Sequence, residues 1–137
     1  MKLKNIISVS GLPNLTKLEV TKNNGLILKD LKTEKTSFYS VRTHQFTPLE
    51  TVGIYTMSDT MDLKEVFKSI KEKMDETPII SYKSSPQELN QYFSVILPEY
   101  DKDRVYPSDI KKVLKWYNEL NELGLLDQQE EEEEIKE

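Results

Sequence analysis

The segment that decides the fold runs from Leu15 to Leu31 and reads LTKLEVTKNNGLILKDL. Apolar and polar residues alternate on both sides of Asn24-Gly25. An Asn-Gly pair between two such runs is the strongest short-range signal for a β-hairpin, because glycine adopts positive φ without a Cβ clash. We therefore predict two antiparallel strands joined by a tight turn, near residues 16–22 and 26–31.

The register of this hairpin depends on the length of its loop. A two-residue turn on Asn24-Gly25 sets Val20 against Lys29, which mixes the two faces. A three-residue loop over residues 23–25, with Gly25 as a left-handed bulge residue, sets Val20 against Leu28. The second register is favoured, because apolar side chains then face each other.

Other short segments rich in β-forming residues flank the hairpin. They predict strands at residues 5–9, 36–42 and 51–56. Between the last two, residues 43–50 contain Pro48 and lack a regular period, so they are expected to form a loop or a single helical turn. Five short strands separated by turn residues predict an SH3-like β-barrel over residues 1–57.

Near residue 60 the apolar spacing changes from two residues to between three and four, which indicates helices. The spacing predicts a C-terminal helical part over residues 61–126, with helices at about 62–74, 86–97 and 109–123. The predicted fold class is therefore α+β, with a small five-stranded SH3-like β-barrel followed by three helices.

The helix ends are marked by capping residues. Asp62 with Glu65 is an acidic version of the capping box, and Ser85 with Glu88 is a complete one, with Pro86 at the first helical position. Gly124 suits the position just after the third helix, where a left-handed residue closes a Schellman motif.

Charge is distributed unevenly along the 137 residues. Residues 1–45 carry eight basic and three acidic side chains, whereas residues 127–137 carry one basic and seven acidic ones. The latter segment has a single apolar residue, so burial cannot offset the entropy of ordering it. We predict a disordered acidic tail over residues 127–137.

The composition excludes several classes of site. The chain has no cysteine, which excludes disulfides, thiolate metal sites and a cysteine nucleophile. No segment approaches the roughly 20 apolar residues of a membrane-spanning helix. We expect a soluble, cytoplasmic protein without a membrane partner.

Catalytic patterns are equally sparse. His44 is the sole histidine, and it lies in a polar loop without the partners that a triad or metal site needs. Asp101 and Asp103 resemble the start of a calcium loop, but Tyr106 and Lys112 occupy the positions of its glycine and glutamate. Glu50 and Asp59 are more simply explained as solvated carboxylates. The expectation is no enzyme, with no catalytic residue, cofactor or metal.

Basic residues and aromatic rings on the predicted barrel suggest a binding surface. Small β-barrels bind single-stranded nucleic acid by combining a basic groove with stacking rings. The candidate nucleic-acid-binding residues are Lys17, Lys29, Lys32, Lys35, Tyr39 and Arg42. The alternative explanation is that these lysines protect strand edges and keep the chain soluble. The leading hypothesis is a non-enzymatic binding or adaptor protein with an unknown protein partner, and the alternative is binding of RNA or single-stranded DNA.

Several stretches of the chain together resemble an uncharacterised family of small Bacteroidetes proteins, described only as a domain of unknown function. The stretches are Ile7–Pro13, Asn24–Ile27, Leu49–Thr56, Arg104–Lys112, Trp116–Asn118 and Gly124–Leu126. The resemblance implies cytosolic proteins with an N-terminal β domain, a C-terminal helical domain and an acidic tail. It implies no activity and no functional residue. The identity of the partner and the oligomeric state stay open.

Overall fold

The computed structural model describes residues 3–126, which divide into two compact units. The first unit takes in the chain up to Val52 and again from Glu119 onwards, and the second takes in Gly53–Asn118. The acidic tail predicted at residues 127–137 lies outside the described residues. Among residues 3–126, none of the helices combines the length and apolar character that crossing a bilayer requires.

One antiparallel sheet of five short strands forms the basis of the first unit. The strands are β1 (Ile6–Val9), β2 (Thr16–Lys22), β3 (Gly25–Asp30), β4 (Thr36–Ser40) and β5 (Phe46–Pro48). Their order across the sheet is β4-β3-β2-β1-β5. The first four strands form a meander, and β5 pairs with the other side of β1.

The predicted hairpin is present between β2 and β3, but the predicted loop is wrong. Lys22 pairs with Gly25, so the loop consists of Asn23 and Asn24 alone. Gly25 is a strand residue and does not have positive φ. Its lack of a side chain is needed for another reason, since a Cβ there would lie 2.2 Å from the carbonyl oxygen of Tyr39.

A β-bulge in β2 is the second reason why the observed register differs from the predicted one. Val20 lies opposite Ile27, whereas Leu18 lies opposite Leu28, so the pairing shifts by one residue at Glu19. A shift of one residue reverses which face the following side chains occupy. The bulge therefore places Leu18 and Val20 on opposite faces, although they are two residues apart.

The five-stranded sheet is open. Within the described residues, β4 and β5 are its two edges and do not pair with each other, so a closed SH3-like barrel is not confirmed. The predicted fifth strand was also misplaced, because β5 lies in the segment expected to be a loop. Phe46 pairs with Val9 and packs against the core of the sheet. Pro48, which has no N–H to donate, is tolerated because β5 is an edge strand.

The second unit combines a small sheet with helices. β6 (Gly53–Tyr55) and β7 (Thr60–Asp62) form a two-stranded antiparallel sheet, so the strand predicted at 51–56 does not belong to the larger sheet. The three predicted helices are present as α1 (Leu63–Glu72), α2 (Pro86–Ile96) and α3 (Pro107–Glu122), the last of which ends in the first unit. α1 packs against β6, β7 and α2.

Two of the three predicted helix caps are observed. The Ser85 hydroxyl accepts from the backbone N–H of Glu88, and the Glu88 carboxylate accepts from the N–H of Ser85. At the end of α3, Gly124 has φ +73°, and the N–H of Leu125 donates to the Leu120 carbonyl, which is the Schellman arrangement. The Asp62 side chain makes no cap hydrogen bond, so the acidic capping box is wrong.

Each unit has its own buried apolar side chains. In the first unit, Ile7, Val9 and Leu28 form the centre of a cluster on one side of the sheet. In the second unit, the rings of Phe67 and Tyr117 meet edge to face at 5.7 Å. Those of Phe93 and Tyr100 meet edge to face at 5.1 Å between their centroids. The amphipathic faces predicted for the helices therefore supply the core of the second unit.

Candidate functional site

The two faces of the five-stranded sheet differ in burial. The face that carries the cluster around Leu28 is called the inner face, and the opposite face is called the outer face. Partners in adjacent antiparallel strands share a face, and alternate residues along a strand change face. On the outer face, Ile6 of β1 is buried, whereas Val20 and Phe38 are 43% and 45% exposed. The outer face is thus open to solvent on the side of β4.

Five residues form what we call the outer strip, which crosses β2, β3 and β4. Its apolar row consists of Val20, Ile27 and Phe38, which are consecutive cross-strand partners. The next row on the same face pairs Lys17 with Lys29. The strip therefore presents an exposed apolar row next to two lysines.

The two lysines of the strip are directly opposite each other, which is unfavourable in a sheet without a counter-charge. Glu34 Oε1 lies 4.0 Å from Lys29 Nζ, and the Glu34 side chain is 78% exposed. An exposed ion pair of this length contributes little. The Lys17–Lys29 pair is therefore a place where an anionic group from a ligand would be stabilised.

The sequence-predicted site residues are only partly brought together. Lys17 and Lys29 share the outer face, whereas Tyr39 pairs with Leu26 and packs against the cluster on the inner face. Lys32 and Lys35 lie in and after the turn that follows β3, and Arg42 lies in the turn that follows β4. Tyr39 therefore lies on the face opposite to Lys17 and Lys29.

The ring that does lie on the outer face is Phe38. Its Cζ and Cε1 atoms would be 2.7 and 2.9 Å from a Cβ on Gly25, so the ring covers that glycine. The candidate residues predicted from the sequence include Tyr39 and leave out Phe38. The signal that separates the two rings is register, because Phe38 is the partner of Ile27, which lies on the same face as Lys29. Tyr39 is the partner of Leu26, which lies on the opposite face.

Asp30 organises the turn beside the strip. Its Oδ1 accepts from the backbone N–H groups of Lys32 at 2.8 Å and Thr33 at 2.9 Å, and the Asn14 amide donates to both carboxylate oxygens. Partial burial acts to raise the pKa of Asp30, but these hydrogen bonds outweigh it and lower the pKa. Asp30 is thus ionised in this turn, which offsets part of the positive charge of Lys32.

A second exposed surface lies in the second unit, around Arg104. Its guanidinium carbon lies 4.4 Å from the centroid of the Tyr55 ring, its Nε donates to Asp101 at 2.7 Å, and Nη2 donates to the Thr56 carbonyl at 3.3 Å. The hydrogen bond from Arg104 lowers the pKa of Asp101. Stacked arginine and tyrosine are frequent in binding surfaces, but these hydrogen bonds already use two of the arginine donors.

His44, the histidine considered for catalysis, lies between aromatic rings. The His44 ring contacts Tyr39 edge to face at 5.2 Å and stacks on Phe46 at 6.4 Å. Its Nδ1 lies 2.8 Å from Thr43 Oγ1. Over residues 3–126, no group of three or more histidine, aspartate or glutamate side chains is arranged to hold a metal ion. His44 is therefore a packing residue that connects the two edge strands.

These features define an α+β protein with a five-stranded antiparallel sheet and three helices. The chain belongs to the family described as domain of unknown function DUF6852, which matches residues 52–120. A solution NMR structure of a protein from Bacteroides vulgatus, a structural genomics target, is 35% identical in sequence with a TM-score of 0.75. The match covers 90% of this chain and 89% of that protein. No curated protein matches the chain.

These similarities confirm the resemblance to an uncharacterised Bacteroidetes family. The family match nearly coincides with the second unit, Gly53–Asn118, whereas the match to the Bacteroides vulgatus protein extends beyond it. The outer strip lies outside the range of the family match. Neither similarity carries an activity or a ligand.

Proposed function

We propose that the protein is a non-enzymatic binding or adaptor protein, and that its outer strip recognises an acidic polypeptide segment. The observation that carries the proposal is the combination of rows on one exposed face. The apolar row of Val20, Ile27 and Phe38 lies directly beside the opposed pair Lys17 and Lys29.

The apolar row supports a polypeptide ligand. Val20 and Phe38 remain nearly half exposed although the opposite face of the same strands supplies a core. Burial of apolar surface stabilises a complex by about 25 cal/mol per Å² before the costs of association. An apolar side chain of a ligand would cover this row and its flanking carboxylates would meet the lysines.

The test is selection of peptides from a random display library against the full chain, followed by affinity measurement on labelled copies of the selected peptides. We expect selected peptides to combine acidic and apolar residues. The double variant Lys17→Glu, Lys29→Glu should weaken their binding by on the order of tenfold or more, since it replaces attraction by repulsion at a desolvated contact.

Lys111→Glu with Lys112→Glu is the matched control, because it makes the same change of net charge on exposed positions of α3. Binding should be nearly unchanged in that variant. Selected peptides without acidic residues, or equal loss in both double variants, would contradict the proposal. Phe38→Ser should also weaken binding, and a selected peptide insensitive to it would argue against the apolar row.

Single-stranded nucleic acid is a second candidate ligand, favoured by the presence of the Phe38 ring on the same face as Lys17 and Lys29. Within residues 3–126, Phe38 is the one exposed ring beside the lysines on this face, because Tyr39 packs inward. Titration with a labelled oligothymidine at two salt concentrations tests this candidate. A nucleic-acid complex loses affinity steeply as salt increases, and no binding at low salt would exclude it.

We also propose an SH3-like arrangement of the five-stranded sheet and a cytoplasmic location for the protein. The strand order and the ring contacts Tyr39–His44–Phe46, which connect the two edge strands, support an SH3-like arrangement in which side chains approach closure without backbone pairing. A chain without cysteine has no disulfide to lose and is compatible with a reducing compartment, and we propose that the protein is cytoplasmic.

A further inference from the structure

Strand β4 has an open hydrogen-bonding edge at Thr36 and Phe38. On its paired side, the N–H of Val41 donates to the carbonyl of Asn24, next to the start of β3. In an antiparallel pair, residues that bond to the neighbouring strand alternate with residues whose N–H and C=O groups point away from it. Residues 37, 39 and 41 therefore bond towards β3, and the backbone groups of Thr36 and Phe38 point away from the sheet.

This edge is short but accessible. It is closed at one end, because the Ser40 carbonyl accepts from the N–H groups of Thr43 at 3.3 Å and His44 at 3.1 Å. The five residues of β4, TSFYS, include no charged residue and no proline, and the first three are exposed. Charged side chains, proline or bulges usually protect a native edge strand from pairing. The part of β4 from Thr36 to Phe38 is therefore able to accept a further strand.

Both rows of the outer strip end at this edge. The apolar row ends at Phe38, and the row of Lys17 and Lys29 continues to Thr36, which is the β4 partner of Lys29. A strand added to β4 would continue both rows, because cross-strand partners share a face. Its residue opposite Thr36 would lie two strand spacings from Lys29, roughly 10 Å, which glutamate and lysine side chains span together. This row carries two positive charges and no negative one, so a carboxylate complements it.

On the basis of the proposed function, we propose that the acidic segment binds as an extended strand added antiparallel to β4. Thr36 and Phe38 each exchange two backbone hydrogen bonds with one residue of the segment, and none of these bonds needs the occupied Ser40 carbonyl. The antiparallel direction is favoured because it is the more stable of the two per residue. From its N-terminus, the segment therefore has an apolar residue opposite Phe38, then any residue, then an acidic residue opposite Thr36.

The first test is an N-methyl scan of the tightest acidic peptide from the display selection, with its affinity measured for the full chain. In an added strand, peptide N–H groups two residues apart donate to β4, and the N–H between them points to solvent. N-methylation at either bonding position should weaken binding by on the order of tenfold or more, because it removes a donor at a buried contact. At the position between them, the change should stay below about threefold. Equal losses at consecutive positions, or no loss anywhere, would overturn the proposal.

Amide hydrogen exchange, measured by NMR, locates the added strand on the protein. Saturation with the same peptide should slow exchange of the Thr36 and Phe38 N–H groups by on the order of tenfold or more, because both become hydrogen-bonded. The N–H of Phe46 is the matched control. It points away from the opposite edge, since Ser10 N–H donates to the neighbouring Gln45 carbonyl, and its exchange should change by less than about threefold. Unchanged exchange at Phe38, or equal slowing at Phe46, would contradict strand addition to β4.

The charge-reversal variant separates two kinds of failure. If Lys17→Glu with Lys29→Glu weakens binding of the selected peptide, but the scan shows no alternation and Phe38 shows no protection, the outer strip binds the peptide without an added strand. That result overturns strand addition and leaves the proposed function standing. If the selection yields no acidic peptide, the proposed function itself fails, and strand addition fails with it.

Discussion

Gly25 has a role that its place in an Asn-Gly pair does not reveal. The backbone there is ordinary strand, and the space for a side chain is occupied by the Tyr39 carbonyl and the Phe38 ring. Glycine in a strand often marks such a close approach. The residue therefore links β3 to β4 and sets the position of the exposed ring on the outer strip.

Gly25→Ala should lower the free energy of unfolding by about 1–3 kcal/mol, because the added methyl must displace a backbone carbonyl or the ring. Urea denaturation measures this change. Gly53→Ala is the control, since its Cβ would lie 3.6 Å from Thr60 Cβ and 3.8 Å from the Met61 carbonyl, which is ordinary contact. Equal effects of the two substitutions would show that crowding at Gly25 is not the cause.

Packing also affects the hydroxyl group of Tyr92. Its hydroxyl is buried and has no hydrogen-bond partner within residues 3–126. Burial raises the pKa of Tyr92 from 10.0 to about 12, with a further contribution from Tyr117. Because the unfolded chain ionises first, this tyrosine lowers stability as the pH rises above 10.

Tyr92→Phe should leave stability unchanged or raise it by about 1 kcal/mol at neutral pH, because an unpaired buried hydroxyl is costly. Tyr100→Phe is the control, since the Tyr100 hydroxyl donates to Asn90 Oδ1 or to the Asn90 carbonyl at 3.3 Å. That variant should be slightly less stable than the wild type. Thermal unfolding of both variants decides the question, and a clear loss of stability only in Tyr92→Phe would contradict it.

At the scale of elements, side chains cap both ends of α2, and they come from different parts of the chain. The capping box of Ser85 and Glu88 is local, whereas the C-terminal end is capped by Lys73, the residue that follows α1. The ammonium group of Lys73 donates to the carbonyls of Val95 at 3.0 Å and Ile96 at 3.1 Å. A cation at a helix C-terminus also interacts favourably with the helix dipole.

Lys73→Met should therefore destabilise the chain by about 0.5–1.5 kcal/mol, because it leaves these carbonyls without their charged donor while keeping the length of the side chain. Chemical denaturation gives the difference in free energy of unfolding. Lys68→Met removes the same charge from an exposed position of α1 and should change stability little. A loss of the same size in both variants would mean that net charge, and not capping, is responsible.

At the scale of the whole chain, the net negative charge comes from the last eleven residues of the sequence. The chain holds 19 basic and 24 acidic side chains, and residues 127–137 account for one and seven of them. Without that segment, 18 basic and 17 acidic residues remain, so the remaining chain is nearly neutral. Binding at the outer strip must therefore arise from the local arrangement of Lys17 and Lys29, since overall charge offers no attraction to an anion.

Ending the chain at Leu126 tests whether the acidic segment competes with a ligand. We expect affinity for an acidic peptide or oligothymidine to change by less than about threefold at 150 mM salt, where the screening length is about 8 Å. Anisotropy titrations of both chains measure this change. Markedly tighter binding by the shortened chain would instead show that residues 127–137 occupy the basic surface.

The sequence by itself determined the features whose interactions lie within a few residues. The capping box at Ser85, the Schellman end at Gly124 and the change of apolar period near residue 60 all depend on neighbours one or two helical turns away. They predicted the three helices and the α+β class. The existence of a hairpin between β2 and β3 also followed from the alternation around Asn24-Gly25, whereas its loop and its register did not.

Only the tertiary structure decided which side chains share a face of the sheet. The bulge at Glu19 and the inward position of Tyr39 depend on the exact register with the neighbouring strand, and the addition of β5 to β1 depends on a strand distant in the sequence. In a sheet, a shift of a single residue exchanges the buried and exposed faces. The outer strip is therefore a product of pairing between strands, and Phe38 belongs to it because Ile27 is its partner.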